Sequence, residues 1–202
     1  MRRKIAFLLM AVGLILIFAA ASLLLYNNNE NRKAHESSEL LMDSLRSVIT
    51  QNEVDKDYTK TDPFDSEMKI VDIDGYGYIG YLSIPSLELD LPVMSEWDYT
   101  RLKISPCRYY GATNTGNLVI AAHNYKYHFG YLGNLKKDDI VMFTDMDSNV
   151  YTYKVTAVEI LLPTDVDKVK DTGDDLIMYT CTYGGAKRII VRCSTVTDNN
   201  KQ

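Results

Sequence analysis

Apolar and polar positions change texture along the chain, and each texture predicts a different element. Residues 5–26 (IAFLLMAVGLILIFAAASLLLY) carry no charged side chain. About 20 apolar residues at 1.5 Å rise per residue span a ~30 Å hydrocarbon layer, so this run predicts a transmembrane helix. Over residues 34–50 the apolar positions recur at helical spacing. Leu40, Leu41, Leu45, Val48 and Ile49 share a face and Glu36, Glu39, Asp43 and Arg46 lie elsewhere, which predicts a stalk helix docked on its own domain. Residues 51–69 (QNEVDKDYTKTDPFDSEMK) are polar and read as a tether. From residue 70 the pattern shifts to short apolar or alternating runs between turn residues. Strands are predicted at 78–84, 87–93, 117–122, 140–144, 150–160, 176–182 and 187–193. Tyr183-Gly184-Gly185-Ala186 joins the last two as a hairpin connection. Many short strands with few helical stretches predict a mainly β fold, a closed or nearly closed barrel. The expected organisation is a tail over 1–4, an anchor over 5–26, a stalk and tether over 27–69, a folded domain over 70–197 and a tail over 198–202.

Flanking charge orients the anchor. Arg2, Arg3 and Lys4 precede the apolar run and Asn27-Asn28-Asn29-Glu30 follows it, so the cationic end is expected in the cytoplasm and everything after Tyr26 outside. Arg32 and Lys33 lie close on the far side and weaken the asymmetry. Ala19-Ala20-Ala21 offers the A-x-A site of a cleaved signal peptide, but the run continues through Leu23-Leu24-Leu25. That is long for an h-region, and an uncleaved single-pass anchor is the reading adopted. No cysteine closely follows the run, which excludes a lipoprotein anchor. The 202-residue chain is 46% hydrophobic and 24% charged, enough to build a core. Its net charge of −5 argues against a nucleic-acid backbone binder.

Candidate chemistry collects at strand ends. Cys181 ends the run Leu176-Ile177-Met178-Tyr179-Thr180-Cys181, and His123 follows Leu118-Val119-Ile120-Ala121-Ala122. Arg188 opens the last predicted strand, across a short loop from Cys181. A strand end is where a side chain leaves the core and meets a cleft. If these strands are neighbours, a thiol, an imidazole and a guanidinium converge. Singly, the cysteine reads equally as inert packing, the histidine as structural and the arginine as a solvated charge. Together they suit attack of a thiolate on a carbonyl, with the imidazole moving protons and the cation steadying the oxyanion. His35 falls in the stalk, and His128 is expected to be solvated, at most rimming a groove. No metal-ligand pattern is evident and no cofactor is expected. Asp165, Asp167, Asp171, Asp174 and Asp175 are the candidates for Ca²⁺, with solvated charge the preferred reading.

These residues sit in a wider resemblance. The stretch 78–193 resembles the sortases, transpeptidases of Gram-positive cell surfaces. The likeness rests on Ile79-Gly80-Tyr81-Leu82-Ser83-Ile84-Pro85, Leu91-Pro92-Val93 and Ala121-Ala122-His123-Asn124, then Thr180-Cys181 followed by Arg188-Ile189-Ile190-Val191-Arg192. It implies an eight-stranded barrel that cleaves an LPXTG-type sorting signal through a thioacyl-enzyme and releases it to an amine. Cys181 matches the nucleophile, His123 the general acid/base, Arg188 the residue that positions substrate and steadies the oxyanion, and Thr180 the threonine before the cysteine. Arg192 has the spacing to share a face with Arg188, but only Arg188 aligns. The family's TLxTC reads Ile177-Met178-Tyr179-Thr180-Cys181 here, and Ala122 stands where many members have glycine. Ala122, Asn124 and Tyr179 are assigned to the substrate groove, and the loop between 160 and 176 to substrate reading. Asp62-Pro63-Phe64 resembles the lid of pilus-building sortases, in which Asp62 would pair with Arg188 and Phe64 would cover Cys181, with Pro63 stiffening the segment. The absence of a second apolar span near Gln202 points the other way.

The resemblance implies surface proteins bearing a sorting signal as partners. It also implies an amine acceptor on a peptidoglycan precursor or a pilin, with the bilayer holding the anchor. Attachment of surface proteins to the cell wall is the main expectation. Pilus polymerisation, plain cysteine proteolysis and a non-catalytic surface scaffold are the alternatives. A Cys107–Cys193 disulfide would leave Cys181 as the free thiol, and three reduced cysteines is the preferred reading. An unperturbed thiol near pKa ~8.5 is only a few per cent thiolate at neutral pH, and an unperturbed imidazole near ~6.5 is mostly neutral. The reactive ion pair is then a minority form, and a bell-shaped pH–rate profile is expected.

Overall fold

A computed structural model describes residues 2–54, 68–170 and 172–196. Two compact units divide the chain, Met1–Lys33 and Ala34–Gln202. The helix α1 (Arg2–Val54) is continuous. It contains no proline and a single glycine, Gly13, so nothing breaks it where anchor and stalk were expected to separate. In the first unit this helix is long and apolar enough to cross a membrane.

In the second unit α1 buries Ala34, Ser38, Met42, Leu45 and Ile49, a stripe at four- and three-residue spacing, with Leu41 and Val48 partly covered. Docking of the stalk therefore holds, but Leu40 is 72% exposed rather than on the buried face. It precedes Leu45 by five positions, about 140° round a helix of 3.6 residues per turn. Arg46 ties α1 to the barrel, with Nη2 2.6 Å from Asp90 Oδ2.

The strands are β1 (Val71–Ile73), β2 (Tyr76–Ile84), β3 (Leu89–Met94), β4 (Cys107–Tyr110), β5 (Leu118–Ala121), β6 (Ile140–Asp145), β7 (Val150–Leu161), β8 (Leu176–Cys181) and β9 (Arg188–Thr195). Their order is β1-β2-β3-β4-β5-β8-β9-β7-β6, and an additional β2–β6 pairing closes β2 to β9 into an eight-stranded barrel. The β3–β4 and β5–β8 pairs are parallel and the rest antiparallel. The closed barrel is as expected. β1 and β4 were not foreseen, because a three-residue strand and a mixed Cys-Arg-Tyr-Tyr run carry too little pattern to stand out.

Two apolar clusters cover the two faces of the sheet. Leu82, Ile84, Leu91, Val93, Leu118, Ile120, Met178 and Val191 fill the barrel interior. Tyr78, Met94, Val119, Ala121, Ile177, Tyr179 and Ile190 form an outer cluster with Leu45 and Ile49 of α1. β5 and β8 are thus buried on both faces, which is why their sequences read as unbroken apolar runs.

Gly80 makes the closing seam possible. It lies at φ +144° opposite Asp145, and a β-carbon there would collide with the Thr144 carbonyl oxygen. Gly80→Ala should therefore cost about 2–4 kcal/mol of stability. Urea unfolding measures this, and an unchanged midpoint would refute the close approach.

All three cysteines are free. Cys107 belongs to the outer cluster and Cys193 to the interior, so the sheet separates them and they do not pair. Burial pushes both thiols up to about 12, which leaves them unreactive.

Candidate active site

Parity along two parallel strands sets the site. Ala121 lies opposite Tyr179 in the β5–β8 ladder, and Ala122 N–H donates to the Tyr179 carbonyl at 3.2 Å. Two residues beyond that pair come His123, just past the end of β5, and Cys181, the last residue of β8. Arg188 is opposite Cys181 in the antiparallel β8–β9 ladder. The structure thus brings all three sequence-predicted residues to neighbouring strand ends.

Thr180 faces inward between them. It is 1% exposed, and its Oγ1 donates to the Ala122 carbonyl at 2.8 Å, pinning the end of β8 to the segment that carries His123. Asn124 adds a second tie, its Nδ2 donating to the Thr182 carbonyl at 3.3 Å. Ala122 does not line the groove as expected. Its side chain packs in the barrel interior, where alternation with Leu118 and Ile120 puts it, and it serves the site through its backbone. Tyr179 is on the outer face, edge-on to Tyr109 at 5.4 Å between ring centroids, and burial holds its hydroxyl well above the usual range.

Arg188 Nη1 donates to the Gly185 and Lys187 carbonyls at 3.0 and 3.1 Å, so the guanidinium is tied back to its own hairpin. Arg192 is engaged elsewhere, 3.2 Å from Glu159 Oε2 and 2.6 Å from Asp174 Oδ2. Its role is to fasten β9 to its neighbours.

His123 is half-buried, and its Nε2 has no hydrogen-bond partner among the described residues. Burial first, then the Lys103 ammonium, hold its pKa below the ordinary imidazole value. The loop after it is tightly closed. Phe129 N–H donates to the His123 carbonyl at 3.1 Å, and His128 and Gly130 N–H both donate to the Tyr125 carbonyl. Tyr125 stands between two imidazoles, 4.9 Å from the His123 ring and 5.5 Å from that of His128.

The expectation of a solvated His128 is overturned: it is 0% exposed. The backbone bonds fold the loop under itself and carry Phe129 into the interior, and His128 goes down beside it. Neither of its ring nitrogens is satisfied among the described residues, the backbone at Ile104 giving only weak compensation. Burial, reinforced by the His123 charge, lowers its pKa to about 4. His35 of α1 stacks on Tyr127 of the same loop, 4.1 Å between centroids. Lys103 and Tyr125 are the residues that sequence reasoning missed, and His128 is the one it misplaced. Nothing in the chain order links Lys103 to His123, and a Tyr-rich polar loop gives no sign of burial.

Three of the acidic loop residues are used internally. Asp174 holds Arg192, Asp175 accepts the Thr195 N–H at 2.7 Å, and Asp165 lies 2.9 Å from Lys168. No cluster able to hold a metal ion occurs among the described residues. The lid residues Asp62 and Phe64 lie outside the described residues, as does Asp171.

A closed mixed barrel of this kind has solved counterparts. Sortase C-3 from Streptococcus pneumoniae matches with a TM-score of 0.56 at 23% identity, covering 83% of this chain and 91% of that one. Sortase A from Corynebacterium diphtheriae matches with a TM-score of 0.54 at 20% identity, covering 87% and 96%. These define the fold as that of the sortase barrel. At the level of sequence, residues 82–196 match the Sortase domain family, and sortase A of Bacillus anthracis is 30% identical over 152 residues, covering 72% of this chain and 67% of that protein. The chain belongs to the sortase family.

Proposed function

We propose that this chain is a membrane-anchored cysteine transpeptidase. It cleaves an LPXTG-like sorting signal and passes the acyl part to an amine, attaching surface proteins to the cell wall. The observation that carries this reading is the arrival of Cys181, His123 and Arg188 at adjacent strand ends. The Cys181 thiolate attacks the scissile carbonyl, and the Arg188 guanidinium faces the developing oxyanion. His123 gives its proton to the leaving amine, and the acyl group stays on Cys181 as a thioester. An incoming amine attacks the thioester, its proton returns to His123, and the thiolate is released. Thr180 and Asn124 keep the two strand ends in register through these steps. The apolar part of α1 holds the enzyme in the bilayer, with Arg2, Arg3 and Lys4 on the cytoplasmic side and the barrel outside.

The test is intact-mass analysis of the full chain in non-ionic detergent with LPXTG-like peptides and amine acceptors. A thioacyl adduct and an amine-joined product are expected, both lost in Cys181→Ala. Free acid as the sole product with every acceptor would make the protein a protease. Joining only to a pilin lysine would make it a pilus polymerase, and no adduct with any peptide would leave a binding scaffold.

A further inference from the structure

The loop that follows His123 carries a ring that bears directly on its imidazole. The Tyr125 and His123 ring centroids are 4.9 Å apart, with 35° between the ring planes. Rings side by side in one plane could not bring their centroids so close, and an edge-on pair would stand near a right angle. The imidazole therefore overlaps the face of the Tyr125 ring. That face is the negative side of the ring's quadrupole and attracts a cation within about 6 Å of the centroid. An imidazolium gains more from it than a neutral imidazole does, so the contact favours the protonated form of His123.

Tyr125 is itself held. Its ring also meets that of His128, 5.5 Å away at 45°, and His128 is fully buried. Its carbonyl accepts the His128 N–H at 3.0 Å and the Gly130 N–H at 2.9 Å. The chain wraps this carbonyl so closely that a β-carbon at Gly130 would meet its oxygen at 2.6 Å. Ring and backbone are thus fixed before substrate arrives, and the contact needs no reorganisation during the reaction. Its surroundings otherwise oppose the charged imidazole. Burial and the Lys103 ammonium both disfavour it, and Nε2 has no hydrogen-bond partner among the described residues. Cys181 and Arg188 at the ends of β8 and β9, and His128 on its own loop, are the other titratable or charged groups nearby. Among the described residues no acid pairs with His123.

We propose that Tyr125 is a positioning residue for the transfer reaction. Its ring face holds the His123 imidazole in place and stabilises the imidazolium that protonates the leaving amine; this role rests on the transpeptidase reading of Cys181. The consequence for rate follows from the order of ionisation. A thiol ordinarily ionises above an imidazole, so the fraction of enzyme in the thiolate–imidazolium form is set by the gap between the two. Losing the ring face makes the imidazolium harder to form and widens that gap. The lower limb of the pH profile then moves to lower pH, and the plateau of kcat/KM falls by the matching factor.

Two measurements on the full chain in detergent test this. The first follows ¹³C-labelled histidine by NMR through a pH titration in the Cys181→Ala background. The chain has three histidines, and His123→Ala assigns the signal of interest. Tyr125→Leu should lower the His123 midpoint by about half to one pH unit, the size of a partly buried cation–π contact. Tyr125→Phe keeps the ring face and should leave the midpoint in place. The second measures kcat/KM against pH for both variants with an LPXTG-like peptide and an amine acceptor. Tyr125→Leu should lose about three- to tenfold at the plateau, with its lower limb shifted down to match, and Tyr125→Phe should follow the wild type. Limb position does not depend on the amount of active enzyme, so partial misfolding leaves this readout intact. A His123 midpoint unchanged or raised in Tyr125→Leu overturns the proposal. So does a midpoint that falls as far in Tyr125→Phe, or a plateau that drops while the limb stays. If the midpoint falls as expected but the wild type turns over no peptide, the hold of the ring on the imidazole stands and the transpeptidase reading falls.

Discussion

In a His123→Ala enzyme, kcat/KM for amine transfer should fall by about 10²–10⁴-fold, the ordinary contribution of a positioned acid–base group. The loss has a second signature in the pH profile. Thiolate and imidazolium must coexist, so the lower limb reports His123. Burial and the Lys103 ammonium both disfavour the imidazolium, which places that limb below the ordinary imidazole value. Removing the histidine should erase the limb and leave a rate that only rises with thiol ionisation. Lys103→Gln should keep the limb and move it upward, because taking away a positive charge makes the imidazolium easier to form. Profiles of kcat/KM for the wild type and both variants decide this. A lower limb unchanged in His123→Ala would remove the residue from proton transfer.

The second large effect concerns stability in acid. His128 is buried with its pKa lowered to about 4, while in the unfolded chain it returns to about 6.5. Between those values the unfolded chain binds the proton and the native state does not, so stability rises with pH across that window. Full stabilisation is present above the unfolded value and is lost as pH falls toward 4. The loss reaches about 3 kcal/mol by pH 4, because each pH unit crossed inside the window removes about 1.36 kcal/mol. The groups bearing on His128 are the His123 charge and the Ile104 backbone, so this slope should belong to His128 itself. His128→Phe keeps a ring beside Tyr125 and cannot titrate. Urea unfolding at pH 7 and pH 4 should show the wild type losing about 3 kcal/mol more than this variant, and parallel losses would show that His128 is not the sensitive group.

Much of this architecture is legible in the chain because burial on two faces leaves a strong mark. β5 and β8 are covered by the interior on one side and the outer cluster on the other, so 118–122 and 176–179 are unbroken apolar runs. His123 follows the first run directly and Cys181 follows the second after Thr180, so the ends of both runs are conspicuous. β4 leaves no such mark. Its four residues mix cysteine, arginine and tyrosine, and what holds it is a ladder to β5. Arg108 consequently looks like any surface cation in the sequence, and its hydrogen bond to the Ser95 carbonyl joins two positions that a local reading does not connect.

The same division explains the stalk and the loops. Helical spacing is enough to predict that α1 docks, yet it puts Leu40 on the wrong side because only the packed barrel shows where the centre of the stripe falls. Ala122 and His128 are misplaced for a related reason. Alternation gives two parities, and only a closed barrel says which one points inward; a loop's polarity does not reveal that its own backbone hydrogen bonds fold it under. The sequence by itself thus determined the apolar anchor, the barrel's long strands and the thiol, imidazole and guanidinium at their ends, because these depend on local periodicity and abrupt changes of polarity. The tertiary structure alone decided which strands meet at the seam beside Gly80, the burial of His128 and the pairing state of each charge. Those depend on contacts between segments far apart in the chain, whose partners local pattern does not name.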